Sequence, residues 1–222
     1  MTNNKFLFVR RPWIWLKRFR KRRGYGVHSP WAFSLIDGVI LERGCYYAYD
    51  SLNKLHPWPV RMLKLYPLQC RRLLFRLANW VHPSSVLIFG DAPIETAYIR
   101  AAVPEAEIIG SIGSIGSNGS NGSDGLDGAC KPKMPNKPIN PKMFSVVEKC
   151  SMVFVSSSHL LSYEPSPCAL CILEGIYSSR EAFAKWREVQ KNEAVGITFD
   201  LYTYGLVFFD RSRHKQHYIV NF

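Results

Sequence analysis

The stretch Val86-Leu87-Ile88-Phe89-Gly90-Asp91-Ala92-Pro93-Ile94-Glu95-Thr96-Ala97-Tyr98-Ile99-Arg100-Ala101-Ala102 carries the clearest fold signal in the chain. An apolar run ends at Gly90, a short turn follows, and a helical pattern continues to Ala102. Glu107-Ile108-Ile109 then opens a second apolar run. This order of strand, turn, helix and strand is typical of an open α/β sheet, in which ligands bind beyond the carboxyl ends of the strands.

The turn after the first strand differs from the turns that bind nucleotides. Those turns carry several glycines, because the backbone must approach the ligand closely. Here Gly90 is the single glycine, and Pro93 stands within the turn. The residues that remain close to the turn, and that we predict to contact a cofactor, are Gly90, Asp91, Ala92 and Glu95.

Two helical patterns precede the first strand. Ser29 and Pro30 are typical of a helix start, and the pattern after them predicts a helix to about Leu41. Its predicted buried side chains are Phe33, Ile36, Val39 and Ile40. A second helix is predicted from Pro67 to about Val81, with an apolar stripe on one side. Its arginines are predicted to lie on a solvated face, and they are Arg71, Arg72 and Arg76.

The chain after residue 150 predicts further strands and one helix. The strand-like runs are 151–155, 170–173, 195–200, 206–209 and 218–222. Ser178-Ser-Arg-Glu181 has the spacing of a capping box and predicts a helix start. The run at 195–200 and the next one, joined by Leu201–Gly205, predict a hairpin. Parallel crossover units followed by a hairpin predict an α/β, Rossmann-like sheet with one reversed strand near its edge.

Composition limits the class of protein. A length of 222 residues suits one α/β domain with a short extension, and 47% apolar residues are enough for a sizeable core. No run of eighteen apolar residues is present, so we predict no transmembrane segment. The start of the chain is too polar for a signal peptide, which favours a cytoplasmic location. Cys168 and Cys171 are predicted to be core thiols rather than metal ligands.

The N-terminal part carries most of the charge excess. The formal net charge is +12, and residues 1–30 hold nine Lys or Arg and no acid. A helix from Pro12 would place Trp15, Leu16 and Phe19 on one face and the cations on the other. Residues 5–23 therefore predict a basic amphipathic helix. Three roles are open for this helix: packing on the domain, binding the inner surface of the membrane, or binding nucleic acid.

Two composition changes divide the chain. Residues 1–60 are predicted to be a basic, aromatic, helical extension, and residues 61–222 an α/β domain. Within that domain, residues 110–142 begin with a Gly/Ser triplet repeat and continue as a Pro/Lys segment. Neither part can bury a core, so a mobile loop is predicted there.

Three blocks of the chain resemble one family. Residues 24–50, 86–109 and 174–222 contain segments similar to the class I S-adenosylmethionine-dependent methyltransferase-like proteins of Bacteroidetes. The resemblance covers most of the chain outside 110–145. It implies a class I methyltransferase sandwich with a seven-stranded sheet whose last strand is antiparallel. It also implies S-adenosylmethionine as the cofactor and an unidentified methyl acceptor.

Most of the family's cofactor residues have no counterpart here. The resemblance implies an acid in the first strand, where Ile88 stands, and glycines in the turn, where Asp91-Ala92-Pro93 stands. It implies an acid after the second strand, where Gly110-Ser-Ile-Gly113 stands. Each carboxylate contact to a ribose contributes roughly 1.5–3 kcal/mol. Cofactor binding is therefore expected to be severely weakened.

Two residues remain as catalytic candidates. The family's acid-glycine-x-His segment appears as Ser156–His159 and keeps His159, and a later acidic pair keeps Glu174. Two roles are open for His159: a general base, or a structural histidine at a strand end that bonds to backbone. A single carboxylate is a poor magnesium site, so no metal is predicted.

Three functions follow from these residues. The first is a degenerate methyltransferase, with the fold kept and catalysis weak or absent. The second is an active methyltransferase whose divergent site uses Asp91, Glu95, His159 and Glu174. The third is an interaction protein in which the sheet is a scaffold and residues 5–23 bind the partner.

Overall fold

The computed structural model describes residues 16, 18, 27–56, 66–110 and 151–222, which form a mixed α/β fold around one sheet. The helices are α1 (Pro30–Leu35), a π-helical turn (Ile36–Ile40), α2 (Tyr49–Asn53), α3 (Tyr66–Val81), α4 (Pro93–Ala102) and α5 (Arg180–Lys191). The strands are β1 (Ser85–Phe89), β2 (Glu107–Ile109), β3 (Met152–Val155), β4 (Leu170–Glu174), β5 (Ile197–Asp200), β6 (Tyr204–Phe208) and β7 (Gln216–Ile219).

The sheet has seven strands in the order β2-β1-β3-β4-β6-β5-β7. β6 is antiparallel to both of its neighbours, β4 and β5, and the other pairs are parallel. The predicted mostly parallel sheet with a C-terminal antiparallel hairpin is confirmed. The resemblance implied that the last strand is the reversed one. The sheet instead reverses its sixth strand, and β7 adds to the edge parallel to β5.

The core lies on both faces of the sheet. Val86, Ile88 and Phe154 point to the face that α1, the π-helical turn and α3 cover. Leu87 and Val153, on the alternate positions, point to the face that α5 covers. Strands buried on both sides are typical of parallel sheets, which explains why their sequences read as continuous apolar runs. The prediction of a core thiol is confirmed for Cys171, which is buried on the second face, whereas Cys168 is partly buried and packs against that face.

The first helix starts as predicted and then changes its geometry. Ser29 Oγ accepts the Ala32 N–H at 3.4 Å, and Pro30 occupies the first turn. After Leu35 the chain continues as the π-helical turn. The prediction that Phe33 is buried is wrong, since its side chain is exposed. The buried stripe has the spacing of three and four residues expected of one helix face, and it consists of Ala32, Leu35, Ile36, Val39 and Ile40.

The cap of α5 lies one residue later than the capping box predicts. Ser179, not Ser178, is the N-cap, and its Oγ accepts the Ala182 N–H at 3.0 Å. Glu181 is then the second helical residue rather than the third. The reciprocal bond of a capping box needs the acid at the third position, so the motif is absent here.

Two residues of the basic N-terminal segment are described, and they reverse the predicted helix faces. Leu16 is 61% exposed, whereas Arg18 is 8% exposed. The cause is a buried acid, because Arg18 Nη1 lies 2.9 Å from Asp200 Oδ1. The remaining residues of the segment 5–23, and the predicted loop beyond Gly110, lie outside the described residues. Among the helices that the structure describes, none has the length and apolar character needed to cross a membrane.

Candidate functional site

The carboxyl ends of the parallel strands meet along one edge of the sheet. The register of β1, β3 and β4 brings Gly90, Ser156 and Glu174 to the same level along this edge. β2 and β3 lie on opposite sides of β1, so the end of β1 is the topological switch point, where open α/β sheets bind ligands. We refer to Gly90, Ser156, His159 and Glu174 as the switch-point site.

Gly90 adopts a backbone conformation that other residues rarely adopt, with φ +98°. A Cβ atom at this position would lie 2.0 Å from Ser156 Oγ and 2.7 Å from His159 Nδ1. The Ser156 N–H donates to the Phe89 carbonyl at 2.9 Å, which fixes the two strand ends together. The space directly beside the turn is therefore filled by the side chains of Ser156 and His159.

His159 is held by a short chain of hydroxyl groups. Ser158 Oγ lies 2.8 Å from Ser156 Oγ and 2.9 Å from His159 Nδ1. The His159 N–H donates to the Ser156 carbonyl at 3.0 Å. The imidazole is therefore anchored locally, and its Nδ1 atom faces Gly90.

Glu174 ends β4 and is half-buried. Its Oε2 atom accepts the Ser157 N–H at 3.1 Å. Burial raises the pKa of the Glu174 carboxyl, the Ser157 N–H opposes that rise, and the nearby Glu95 adds to it. The negative charge of Glu95, on α4, therefore acts on the carboxyl group of Glu174, at the end of β4.

The other predicted cofactor residues are engaged elsewhere or exposed. Glu95 lies in the first turn of α4, is 7% exposed, and accepts Arg71 Nε at 2.8 Å in an ion pair. Ala92 is buried, and its carbonyl accepts the Thr96 N–H and hydroxyl at 2.9 and 2.7 Å. Asp91 is exposed. Of the four, Asp91 is the one whose side chain faces solvent.

A largely buried polar network extends from Glu95, and no sequence pattern indicated it. Arg71 Nη1 lies 3.2 Å from His56 Nδ1, and His56 Nε2 lies 3.0 Å from the Tyr98 hydroxyl. Since a guanidinium only donates, Nδ1 must accept and Nε2 must carry the proton that it donates to Tyr98. Burial and the Arg71 charge lower the pKa of His56, and burial raises that of Tyr98 to about 12. Both groups are therefore neutral at pH 7.

The pH dependence of folding should report on this histidine. Because the folded state lowers the pKa of His56, the unfolded chain takes up the proton first as pH falls below about 6.5. Stability is therefore lost below that pH. We expect His56→Gln, which can still accept from Arg71 and donate to Tyr98, to lose less stability than the wild-type chain between pH 7.5 and 5.5, by up to about 1.4 kcal/mol. Urea unfolding at the two pH values measures the difference.

The matched control is His214→Gln, since His214 is exposed. The comparison is between two variants that each lose one histidine, and only His56→Gln removes the pair with Tyr98. A pH dependence of His56→Gln equal to that of the wild-type chain would show that His56 does not exchange a proton on folding.

Two further arginines of α3 contradict their predicted solvated face. Arg76 is 6% exposed and donates to the carbonyls of Val39 at 2.7 Å and Ile40 at 3.0 Å. Arg72 lies with its Cζ 4.6 Å from the centre of the Tyr49 ring. The prediction of a solvated face is wrong because α3 is covered by the segment that precedes it. Both arginines line a cleft of about 880 Å³, whose lining residues are distinct from the switch-point site.

The predicted site residues therefore fall into two groups. Gly90 and His159 are in direct contact and Glu174 lies on the adjacent strand, whereas Glu95 is paired with Arg71 and Asp91 is exposed. No protein-family model matches the chain, and no curated protein shows significant similarity to it.

Proposed function

We propose that the chain is a degenerate member of the S-adenosylmethionine-dependent methyltransferase family. In this proposal the class I sandwich is kept as a scaffold, and cofactor binding is weak or lost. The sheet supports the family part of the proposal. It is mostly parallel, it has a switch point at β1, and its reversed strand β6 lies near the edge beside β5.

The observation that carries the proposal is the contact between Gly90 and its neighbours. In a cofactor-binding turn, a glycine lets the backbone approach the ligand. Here the missing side chain of Gly90 makes room for Ser156 and His159 instead. The residues at the turn therefore do not fit S-adenosylmethionine in the place that the resemblance implies, and we derive no methyl-transfer step.

The carboxyl groups support the same conclusion. Ile88, which stands where the resemblance implies an acid, is a buried member of the apolar core. Glu95 is neutralised by Arg71, and Glu174 is bonded to the Ser157 N–H. An active enzyme with a divergent site would depend on the exposed Asp91 to hold the cofactor.

Calorimetric titration tests the proposal. We expect no saturable heat from S-adenosylmethionine or S-adenosylhomocysteine up to about 1 mM, since a lost charged contact weakens binding about tenfold to a hundredfold and several are missing. The same protein sample should unfold cooperatively in a thermal melt. This control would show that the missing binding signal in the titration is a property of the folded chain.

Micromolar binding would contradict the proposal. In that case Asp91→Asn separates the alternatives. Loss of binding in this variant would identify Asp91 as the replacement for the lost acids and favour the active methyltransferase. Unchanged binding would place the cofactor away from the turn.

A further inference from the structure

A second polar group lies on the same edge of the sheet, on the other side of β6. Asp200 ends β5 and is 2% exposed. Its Oδ1 atom lies 2.9 Å from Arg18 Nη1 and accepts the Tyr202 N–H at 3.0 Å. Its Oδ2 atom accepts the Tyr177 hydroxyl at 2.7 Å. We refer to Tyr177, Asp200 and Tyr202 as the Asp200 site.

The Asp200 site has the shape and charge that a guanidinium needs. The rings of Tyr177 and Tyr202 are stacked, with centres 5.2 Å apart and planes 23° apart. Arg18 Cζ lies 5.2 Å from the Tyr177 ring centre and 5.9 Å from that of Tyr202. Arg18 Nη2 also donates to the Tyr177 hydroxyl at 2.8 Å. A planar cation with several donors uses a carboxylate and aromatic rings together, which a compact ammonium does less well.

The backbone of the Asp200 site is held in an unusual conformation. Tyr202 lies in the turn between β5 and β6 with φ +74°, a region that bulky residues rarely adopt. The bond from the Tyr202 N–H to Asp200 supports this turn and sets the ring beside Tyr177. Strain of this kind persists where the surrounding structure holds the residue in place.

The walls of the Asp200 site and the group that fills it come from distant parts of the chain. Tyr177 follows β4, and Asp200 and Tyr202 flank the end of β5, so the sheet itself positions all three. Arg18 lies 159 residues before Tyr177. We propose that the Asp200 site is a guanidinium-binding site, which Arg18 fills from within the chain and which the arginine side chain of a peptide ligand fills when Arg18 is removed. This proposal does not depend on cofactor binding.

Chemical rescue tests the first half of the proposal. We expect Arg18→Ala to lower Tm by roughly 6–20 °C, because it leaves the buried Asp200 without its cation. Millimolar ethylguanidinium should restore Tm saturably, whereas ethylammonium should not. Arg213→Ala is the matched control, since Arg213 also pairs with an acid (Asp210) and lies 4.9 Å from the Trp31 ring, but at the surface. Ethylguanidinium should not raise its Tm.

Direct binding tests the second half. N-acetylarginine amide should bind Arg18→Ala at least tenfold more tightly than it binds the wild-type chain, because Arg18 competes for the site. N-acetyllysine amide should bind neither, and adding Asp200→Asn should abolish binding of the arginine amide. An unchanged Tm in Arg18→Ala, rescue by ethylammonium, or equal binding to both chains would each overturn the proposal.

A further measurement covers the case in which Arg18→Ala does not fold. In the wild-type chain, arginine side-chain NMR should show a guanidinium with slowed Hη exchange whose signal vanishes in the charge-conserving variant Arg18→Lys, whereas the signal of the buried Arg76 should remain. If no guanidinium signal is specific to Arg18, the site is not formed and the proposal fails.

Discussion

Replacing Gly90 with alanine is expected to lower the free energy of unfolding by about 3–5 kcal/mol. Two causes add. The backbone at φ +98° strains any residue that has a Cβ atom, and that atom would lie 2.0 Å from Ser156 Oγ and 2.7 Å from His159 Nδ1. Urea unfolding, followed by circular dichroism, measures the loss.

Two variants separate the causes. Gly38→Ala is the matched control, because a Cβ atom there meets nothing within 4 Å and Gly38 lies in the π-helical turn. It should be neutral or stabilise by about 0.5–1 kcal/mol. Adding Ser156→Gly to Gly90→Ala should recover about 1–2 kcal/mol, since it removes the nearest clash and leaves the backbone strain. A Gly90→Ala chain as stable as Gly38→Ala would show that Ser156 and His159 do not fill the space beside the turn.

Truncating Arg76 is expected to have the second large effect. Arg76→Ala should lower the free energy of unfolding by about 3 kcal/mol, because it removes the donors for the Val39 and Ile40 carbonyls and empties a buried position. These carbonyls lie near the end of the π-helical turn, so that segment should loosen first. Hydrogen exchange of the amides in residues 36–41 provides a local readout beside the global unfolding curve.

Two control variants test whether the effect of Arg76→Ala comes from the buried hydrogen bonds or from the loss of a positive charge. Arg100→Ala removes an exposed arginine from α4 and should change stability by less than about 0.5 kcal/mol. Arg76→Lys keeps the charge but has a single nitrogen, so it cannot reach both carbonyls as the guanidinium does, and it should fall between the wild type and Arg76→Ala. Equal stability of Arg76→Ala and Arg100→Ala would mean that the buried bonds of Arg76 contribute nothing.

The switch-point site was partly predictable. The apolar run before Gly90 indicated the turn beside the sheet edge, whereas His159 and Glu174 were predicted through the family resemblance. The filling of the turn by Ser156 and His159 was not predictable. It depends on the distance between two strands that are more than 60 residues apart in sequence.

The contacts of Arg18, Arg71 and Arg76 could not be predicted from the neighbouring residues in the sequence. Arg71 and Arg76 look like the charged side of an amphipathic helix, and Arg18 looks like part of a solvated basic run. Arg18 and Arg76 are buried, and Arg71 is partly buried, because an acceptor from elsewhere in the chain faces each of them: Asp200 for Arg18, the π-helical turn for Arg76, and Glu95 for Arg71. A charge pattern along one helix contains no information about such acceptors.

The sequence by itself determined the type of most elements, the hairpin near the C-terminus and the edge of the sheet at which polar residues gather. These follow from short-range periodicity and turn chemistry, which are written into neighbouring residues. The tertiary structure alone decided the position of the reversed strand, the closure of the turn at Gly90, the burial of Arg18 and Arg76, and the pairing of Arg71 with Glu95. Those features depend on which distant side chains meet, and that is settled only when the whole chain packs.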